Sequence, residues 1–305
     1  MKKVIRSLIK SIPMVKRMDF EVKRYHKNAC FPPGHFYSPI VNVDEIEKNA
    51  SRIWAGRELK ELKGIDLHVD QQMEHLSKIA SYYNEIPFKE EIEESSDLRY
   101  SFNNGMYSFT DGIILYGMLR HLSPKKVIEI GSGHSSALML DTNRLFFSNT
   151  IELTFIEPYP DRLYKTISEK DKDNTHIIEQ GVQEVPLSVF AALNEGDILF
   201  VDSTHVSKCG SDVNYILFDI LPILKPGVFI HFHDIFYPFE YPKEWVLKGY
   251  NWNENYLLKA FLMHNKNYSM QFFADFMHLH YRSAFDKMPL CYKNTGGNLW
   301  LKKEQ

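Results

Sequence analysis

Short apolar segments alternate with amphipathic segments through the second half of the chain. Five segments have the length and apolar content of buried strands, at 126–130, 152–156, 176–179, 197–201 and 228–233. Between them apolar residues recur at helical spacing, most regularly in 211–224, where Val213, Ile216, Leu217 and Ile220 share one face. A helix over 253–264 and two late strands at 269–273 and 298–302 follow. This alternation predicts an α/β fold, a doubly wound and mostly parallel sheet with helices on both faces.

The segments before these strands show weaker patterns. Ser108 and Asp111 precede an apolar periodic run, which predicts a capping box and a helix that begins near Phe109 and is ended by Pro124. A helix is also predicted over 65–83, whereas 28–65 reads as irregular, since residues 30–40 contain three prolines and three aromatic or histidine side chains in a row. That aromatic loop fits either a lid or a strap over the core.

The first 27 residues carry nine Lys and Arg against two acidic residues. Val4, Ile5, Leu8, Ile9 and Ile12 fall on one helical face with basic residues on the other. Three interpretations stay open: a peripheral contact with an anionic membrane surface, an ordinary helix packed on its own domain, or a loose tail. We expect an N-terminal helical and irregular extension over 1–100, followed by the α/β domain over 101–305.

Composition excludes several classes of protein. The chain of 305 residues has a formal net charge of -3, three cysteines far apart, and no apolar run of membrane-spanning length. A disulfide framework, a transmembrane helix and a broad nucleic-acid surface are therefore not expected. The sequence predicts a cytoplasmic protein, with contact at the inner face of the membrane and homo-oligomerisation left open.

A glycine turn follows the first predicted strand in "VIEIGSGHSS", residues 127–136. Ligands of open parallel sheets bind beyond the carboxyl ends of the strands, so this loop is the first candidate for a cofactor site. Gly131 and Gly133 allow a tight turn and close approach to a ligand, and Glu157 ends the second strand, where an acid can accept bonds from ribose hydroxyls. Ser136 stands where a dinucleotide fingerprint has its third glycine, which argues against a dehydrogenase that uses NAD.

Four segments together resemble a known family. They are "VIEIGSGHSS", "LTFIEPYPDRL", the block from 196 to 242 that begins "GDILFVDSTHVSKCG", and the terminal "GGNLWLKK". The chain resembles the class I S-adenosylmethionine-dependent methyltransferases, close to the bacterial macrocin O-methyltransferase and cephalosporin hydroxylase-like groups. The resemblance implies a Rossmann-like sheet of seven strands with the last strand inserted antiparallel, and S-adenosyl-L-methionine as cofactor. It also implies that Gly131 and Gly133 line the methionine portion, with Glu129 near its amino group, Glu157 at the ribose and Gln183 at the adenine.

Candidate catalytic residues follow the fourth and fifth strands, in "FVDSTH" and "HFHD". Two mechanisms stay open for Asp202, His205, His233 and Asp234. In the first, Asp202, His233 and Asp234 hold a divalent metal such as Mg²⁺ or Mn²⁺ that lowers the pKa of a substrate hydroxyl, although a histidine is unusual for Mg²⁺. In the second, His205 or His233 is the general base. Strand alternation places His233 and Asp234 on opposite faces unless the strand ends before them.

The predicted function is methyl transfer to a hydroxyl of a small-molecule or glycan-type acceptor. Two alternatives have the same fold: a cephalosporin hydroxylase-like non-haem iron oxygenase that uses His and Asp ligands, and an NAD-dependent dehydrogenase. A third is a non-catalytic module that only binds the cofactor.

Overall fold

The computed structural model describes residues 13–92, 96–168, 171 and 175–305. The apolar face predicted within residues 4–12 lies outside this range. The described chain divides into two compact units, one of residues 13–53 with Lys243–Asn251 and the other of Trp54–Pro242 with Trp252–Gln305. Residues 54–100 thus belong to the same unit as the sheet, while the functional division into a 1–100 extension and a methyltransferase domain stays a prediction.

The first unit is built from short helices. They are Pro13–Asn28, Val43–Lys48, Ala50–Ile53 and Lys243–Leu247. The prediction that 28–65 is irregular was therefore wrong in part. Asn42 caps the second helix, since its side chain accepts from the backbone N–H groups of Asp44 at 3.1 Å and Glu45 at 3.3 Å.

The second unit contains a sheet of seven strands. The strands are β1 Lys126–Ile130, β2 Glu152–Ile156, β3 Thr175–Ile178, β4 Ile198–Val201, β5 Phe229–Phe232, β6 Tyr268–Phe273 and β7 Leu299–Lys303. Their order is β3-β2-β1-β4-β5-β7-β6, with β7 antiparallel to both of its neighbours. The predicted fold class, a mostly parallel Rossmann-like sheet with the last strand inserted antiparallel, is confirmed.

Helices of the second unit cover both faces of this sheet, as right-handed crossovers between parallel strands require. The α-helices are Val69–Tyr82, Phe109–Leu122, His134–Phe147, Asp161–Thr166, Leu187–Ala191, Asp212–Tyr215, Leu221–Ile223, Glu254–Leu262 and Ala274–His280. A π-helical turn, Ile216–Ile220, joins two of them, and 3₁₀ turns lie at Ala55–Glu58, Tyr83–Glu85, Val182–Glu184, Arg282–Phe285 and Pro289–Lys293. None of the described helices is long and apolar enough to cross a bilayer.

The helix at Phe109 begins where the sequence predicts, but the predicted capping box is wrong. Ser108 occupies the N-cap position, and its side chain caps no N–H group among the described residues. Asp111 is buried and bonds instead to the loop before β7, accepting from the Gly297 N–H at 2.8 Å and from Asn298 Nδ2 at 2.9 Å. A buried carboxylate needs such donors.

The order of the sheet fixes where a ligand can bind. Strand order runs in opposite directions from β1, toward β2 and β3 on one side and toward β4 and β5 on the other. The carboxyl ends of β1 and β4 are therefore the switch point at which ligands of open α/β sheets bind. The predicted site residues follow β1, β2, β4 and β5 at this edge.

Candidate active site at the carboxyl edge of the sheet

The turn after β1 depends on Gly131. Its φ is +80°, in the left-handed region, and its N–H donates to the Ile156 carbonyl at 2.9 Å. A Cβ at this position would lie 2.1 Å from the carbonyl oxygen of Asp202, which belongs to the loop after β4. Only glycine allows the two loops to approach this closely.

Ser132 and Glu157 connect the glycine turn to the end of β2. Glu157 accepts from the Ser132 N–H at 3.2 Å through one oxygen and from the Tyr159 N–H at 2.9 Å through the other. The Ser132 hydroxyl is buried and has no hydrogen-bond partner among the described residues. Because a buried hydroxyl without a partner is costly, this orphaned group fits a site that a polar ligand completes.

Gly133 differs from Gly131 in what it requires. It is buried and its φ is 172°, extended backbone open to any residue, and an added Cβ would meet Arg162 Cδ at 3.5 Å, an ordinary contact. The fold therefore does not require glycine at position 133. Close approach of a ligand is a separate reason for glycine there, and it stays a prediction.

Glu129 lies beneath the glycine turn and is fully buried. The hydroxyls of Ser135 and Ser136, in the first turn of the following helix, both donate to its carboxylate. Burial raises the pKa of Glu129 to about 8, although these two hydroxyls oppose the shift. That Glu129 lies near the amino group of the cofactor stays a prediction.

Gln183 lies in the 3₁₀ turn after β3 and is exposed. Its Nε2 donates to the Gly210 carbonyl at 3.0 Å, so it bridges to the loop that precedes the helix after β4. This places it on the same edge as the other predicted residues, and its adenine contact stays a prediction.

The four predicted catalytic side chains lie together. His205 Nε2 is 3.6 Å from Asp202 Oδ1 and 3.6 Å from Asp234 Oδ2. His233 Nδ1 is 3.4 Å from Asp202 Oδ1, and its Nε2 is 3.7 Å from Asp234 Oδ1. With Glu254, whose Oε2 is 2.8 Å from His205 Nδ1, these residues form a group that we call the carboxylate–imidazole cluster.

Asp234 reaches this cluster because the strand ends before it. β5 stops at Phe232, and Asp234 has a φ of +57°, so the alternation of the strand no longer applies. The left-handed turn brings its carboxylate to the same side as the His233 ring. His233 and Asp234 therefore do not lie on opposite faces, as alternation along a continued strand would place them.

Glu254 was missed by sequence reasoning. It is the first residue of the helix Glu254–Leu262 and is buried, and besides His205 it accepts from the Ser203 hydroxyl at 3.0 Å. The same helix start is fixed by the His205 carbonyl, which accepts from the N–H groups of Asn253 at 2.9 Å and Glu254 at 3.1 Å. An acid at a helix start has an ordinary explanation in the helix dipole, so nothing in the local sequence points to its partner His205, 49 positions earlier.

Aromatic rings enclose the cluster on two sides. Trp252 packs on His205 with 4.4 Å between ring centroids, and Tyr107 packs on His233 at 4.9 Å. Tyr107 is buried, and burial together with the Asp111 carboxylate raises the pKa of its phenol well above the usual value. Both rings reduce the access of water, which strengthens the interactions between the charged groups.

The charges of the cluster reinforce one another. Burial favours neutral His233, but the carboxylates of Asp234 and Asp202 outweigh burial and raise the pKa of the imidazole to about 10. Burial likewise opposes a charge on His205, yet its bonds to Asp202 and Glu254 raise its pKa well above the usual value. The carboxylates thus favour the protonated form of both imidazoles.

The two aspartates differ in electrostatics. Burial disfavours the Asp202 carboxylate, but the imidazoles of His233 and His205 hold its pKa well below the usual value. Burial raises the pKa of Asp234, even though the same imidazoles act against the shift. The Asp202 side chain is 35% exposed and the Asp234 side chain 17%, so Asp202 is the member of the pair more open to a ligand.

These side chains are not arranged around a metal position. In the described part of the chain no group of three or more His, Cys, Asp or Glu side chains is placed to hold a metal ion. His233 faces a carboxylate with each ring nitrogen, at 3.4 Å for Asp202 and 3.7 Å for Asp234. A metal held by Asp202, His233 and Asp234 stays a prediction.

Comparison with known proteins identifies the family of the chain. A family model described as a methyltransferase domain matches residues 128–235, which span β1 to the end of β5 and include the glycine turn and the two aspartates. An uncharacterised protein of Archaeoglobus fulgidus is 39% identical over 169 residues, which cover 55% of this chain and 76% of that protein.

Several solved structures align with the chain at low similarity. The methyltransferase PaMTH1 of Podospora anserina, bound to S-adenosylhomocysteine, is 17% identical with a TM-score of 0.43, over 85% of this chain and 97% of its own. The O-methyltransferase TomG of Streptomyces achromogenes, in complex with S-adenosylmethionine, is 14% identical with a TM-score of 0.41, over 76% and 90%. CmcI in its apo form is 14% identical with a TM-score of 0.43, over 74% and 84%.

At these TM-scores the solved structures add nothing about individual residues or substrates. The family model carries the assignment, and the seven-stranded sheet of order β3-β2-β1-β4-β5-β7-β6 agrees with it. Residues 128–235 thus belong to a methyltransferase domain, of the class I S-adenosylmethionine-dependent type.

Proposed function

We propose that this methyltransferase methylates a hydroxyl group of a small-molecule or glycan-type acceptor, and that the carboxylate–imidazole cluster takes up the hydroxyl proton. The observation that carries the proposal is the position of the cluster, in which Asp202 belongs to the loop that Gly131 contacts. A methyl donor held by the glycine turn and an acceptor held by Asp202 would be neighbours. Membership in the family favours neither the iron oxygenase nor a module without activity.

The cofactor side of the site would use the turn after β1. Gly131 and Gly133 would permit close approach of the methionine portion, the orphaned Ser132 hydroxyl would bond to it, and Glu129 would lie near its amino group. Glu157 would hold the ribose hydroxyls in place, and Gln183 would contact the adenine edge. When bound, S-adenosylmethionine supplies a sulfonium methyl group whose C–S bond breaks, with its electron pair going to sulfur, as the acceptor oxygen bonds to the methyl carbon.

On the acceptor side, Asp202 would hold the acceptor next to the reacting hydroxyl. Its low pKa keeps it ionised, so it can accept a hydrogen bond from a second donor group of the acceptor, which leaves the proton of the reacting hydroxyl for another base. Because the neighbouring carboxylates raise the pKa of His205 and His233 and favour their protonated forms, a carboxylate is the better acceptor for that proton. Asp234 fits this role because burial raises its pKa toward the working pH, where a general base is more effective.

The remaining members of the cluster would set this arrangement. Three carboxylates face two imidazolium groups, so one carboxylate lacks a cationic partner and can take a proton without leaving an excess positive charge. Glu254 holds the His205 ring by its Nδ1, which directs Nε2 toward both aspartates. No step in this proposal is assigned to a metal.

The test is transfer of a labelled methyl group from S-adenosylmethionine to a panel of hydroxyl-bearing small molecules and glycans. We expect a methyl ether product with the wild-type enzyme, and loss of turnover with unchanged cofactor affinity in Asp202→Asn and in Asp234→Asn. Asp219→Asn, an exposed acid on the helical segment after β4, is the matched control and should behave as wild type. Label found only on nitrogen or carbon would overturn O-methylation, and a fully active Asp202→Asn would remove that residue from the mechanism. Loss of activity after chelator treatment, restored by Mg²⁺ or Mn²⁺, would contradict the metal-free assignment.

A further inference from the structure

The first compact unit carries apolar side chains that its own core does not use. On the helix Pro13–Asn28, Met14, Met18 and Val22 are spaced four apart and therefore share one face. They are 70%, 58% and 53% exposed. A row of exposed apolar side chains on one helix face indicates a contact with something outside the chain.

Basic side chains lie beside and opposite this apolar row. Arg17 and Arg24, seven residues apart, lie beside it, whereas Lys16, Lys23 and Lys27 lie on the opposite side of the helix together with Phe20, which is 62% exposed. Against these five cations the helix holds two acids, Asp19 and Glu21, of which Asp19 pairs with Lys23 at 2.6 Å. The helix is therefore both amphipathic and positively charged, within a chain whose overall formal charge is -3.

An aromatic loop after the helix continues the apolar surface. The rings of Phe31, His35, Phe36 and Tyr37 pack on one another, with centroids of 4.8 Å for Phe31–His35, 4.5 Å for His35–Phe36 and 4.1 Å for Phe36–Tyr37. Phe36 is 80% exposed and Tyr37 66%. The rings of Phe36 and Tyr37 thus project into solvent.

The loop is preformed and tied to the helix. The Tyr25 hydroxyl donates to the Phe31 carbonyl at 2.6 Å, and the Gly34 N–H donates to the Ile40 carbonyl at 2.9 Å. Within the loop, the Tyr37 N–H donates to His35 Nδ1 at 3.1 Å. Fixed aromatic tips next to an amphipathic basic helix need little ordering on contact, which favours binding.

We propose that the helix Pro13–Asn28 and the aromatic loop 30–40 form one docking surface for an anionic phospholipid bilayer. Cationic side chains beside an apolar row match a negative headgroup layer above an acyl region, and aromatic rings of this kind settle at that boundary. A second copy of the chain fits less well, because two such positive helices would repel each other. The acidic remainder of the chain would be repelled by the bilayer, which limits contact to this surface.

Flotation of the full-length protein with vesicles tests the proposal. We expect binding to vesicles of phosphatidylcholine with phosphatidylserine, and not to phosphatidylcholine alone, with loss of binding in high salt. Phe36→Ala combined with Tyr37→Ala should weaken vesicle binding by about tenfold or more, since both rings lose their apolar contact. Phe218→Ala, which removes an aromatic ring that is 63% exposed elsewhere, is the matched control and should leave binding unchanged.

Charge is tested in the same way. Arg17→Gln combined with Arg24→Gln, which lie beside the apolar row, should reduce binding to the anionic vesicles by about tenfold or more, as expected for two charges near the surface. Lys63→Gln combined with Lys266→Gln removes two exposed lysines from the other unit and should have no effect. Circular dichroism and cofactor titration show that each variant remains folded.

Two exposed cysteines locate the contact. Cys30 begins the aromatic loop, and Cys209 lies after β4, whereas Cys291 is buried. A fluorophore sensitive to polarity, attached to Cys30 in Cys209→Ser, should shift to the blue on anionic vesicles, and the same label on Cys209 in Cys30→Ser should not. Three results would overturn the proposal. The first is vesicle binding by the Phe36 and Tyr37 variant that equals wild type, and the second is an equal fluorescence shift at both labels. The third is that the wild-type protein does not bind vesicles but self-associates without lipid, and that this variant abolishes the self-association.

Discussion

Replacing Gly131 by alanine should separate the two demands made on the turn after β1. The φ of +80° costs an L-residue roughly 1–2 kcal/mol. The new Cβ would also lie 2.1 Å from the Asp202 carbonyl oxygen, a distance that forces the loops after β1 and β4 apart. Overpacking of this kind adds about 1–3 kcal/mol, so we expect Gly131→Ala to lower the free energy of unfolding by about 2–5 kcal/mol.

Gly133→Ala is the matched control for stability. Its backbone is extended and its nearest new neighbour, Arg162 Cδ, is 3.5 Å away, so the free energy of unfolding should change by less than about 1 kcal/mol. If the cofactor passes against Gly133, the same methyl group should nevertheless weaken S-adenosylmethionine binding. Chemical denaturation and calorimetric titration on the two variants give both quantities.

Two results would refute this reasoning. A Gly131→Ala protein as stable as wild type would show that the loops after β1 and β4 do not approach as closely as the structure indicates. A Gly133→Ala protein with unchanged stability and unchanged cofactor affinity would remove Gly133 from the cofactor site.

Three further predictions concern the edge of the sheet. Glu157→Ala should weaken S-adenosylmethionine binding by about 1–3 kcal/mol in calorimetric titration, because a hydrogen bond to the ribose and the bond to the Ser132 N–H are both lost; unchanged affinity would exclude the ribose role. Glu254→Gln should reduce turnover by about tenfold or more while cofactor affinity is kept. The neutral amide would hold the His205 ring less firmly and would favour its protonated form less than the carboxylate does. A pH–rate profile identical to that of wild type would count against the positioning role. The pKa of His233 is about 10 in the folded protein, above its unfolded value, so its ion pairs stabilise the fold fully below about pH 6.5 and are lost as the pH rises toward 10; denaturation curves across this range should show a smaller decline for His233→Gln than for wild type.

The strands of this protein could be predicted from local pattern alone. β1 and β2 begin and end at the predicted residues, and the bounds of the other strands differ from the predicted ones by at most one residue. Buried parallel strands consist of short apolar runs bounded by turn residues, which are visible in a single sequence. The 28–65 segment was harder, because its short helices depend on single caps such as Asn42 rather than on periodicity.

The site could be predicted as far as it depends on strand ends. Parallel strands bring their carboxyl ends to one edge, so Asp202 and Asp234 were expected at neighbouring strand ends, whereas the faces on which His233 and Asp234 lie could not be fixed from alternation alone. Glu254 and Asp111 could not be found in this way. Each stands at a helix start, where an acid has an ordinary local explanation, and each instead bonds to a residue distant in sequence.

Backbone conformation explains why these side chains meet where they do. His205 and Asp234 both have positive φ, 60° and 57°, which is uncommon for residues with a side chain and costs energy that surrounding contacts must offset. Glu254 offsets it at His205 by holding the ring and, through its own N–H, the carbonyl. At Asp234 the neighbouring Ile235 N–H donates to the Gly297 carbonyl at 2.8 Å, and the Gly297 N–H donates to buried Asp111. Both residues with positive φ are thus bonded to elements far away in sequence. These distant bonds offset the strain, and the strained backbone in turn directs the His205 ring and the Asp234 carboxylate toward one another.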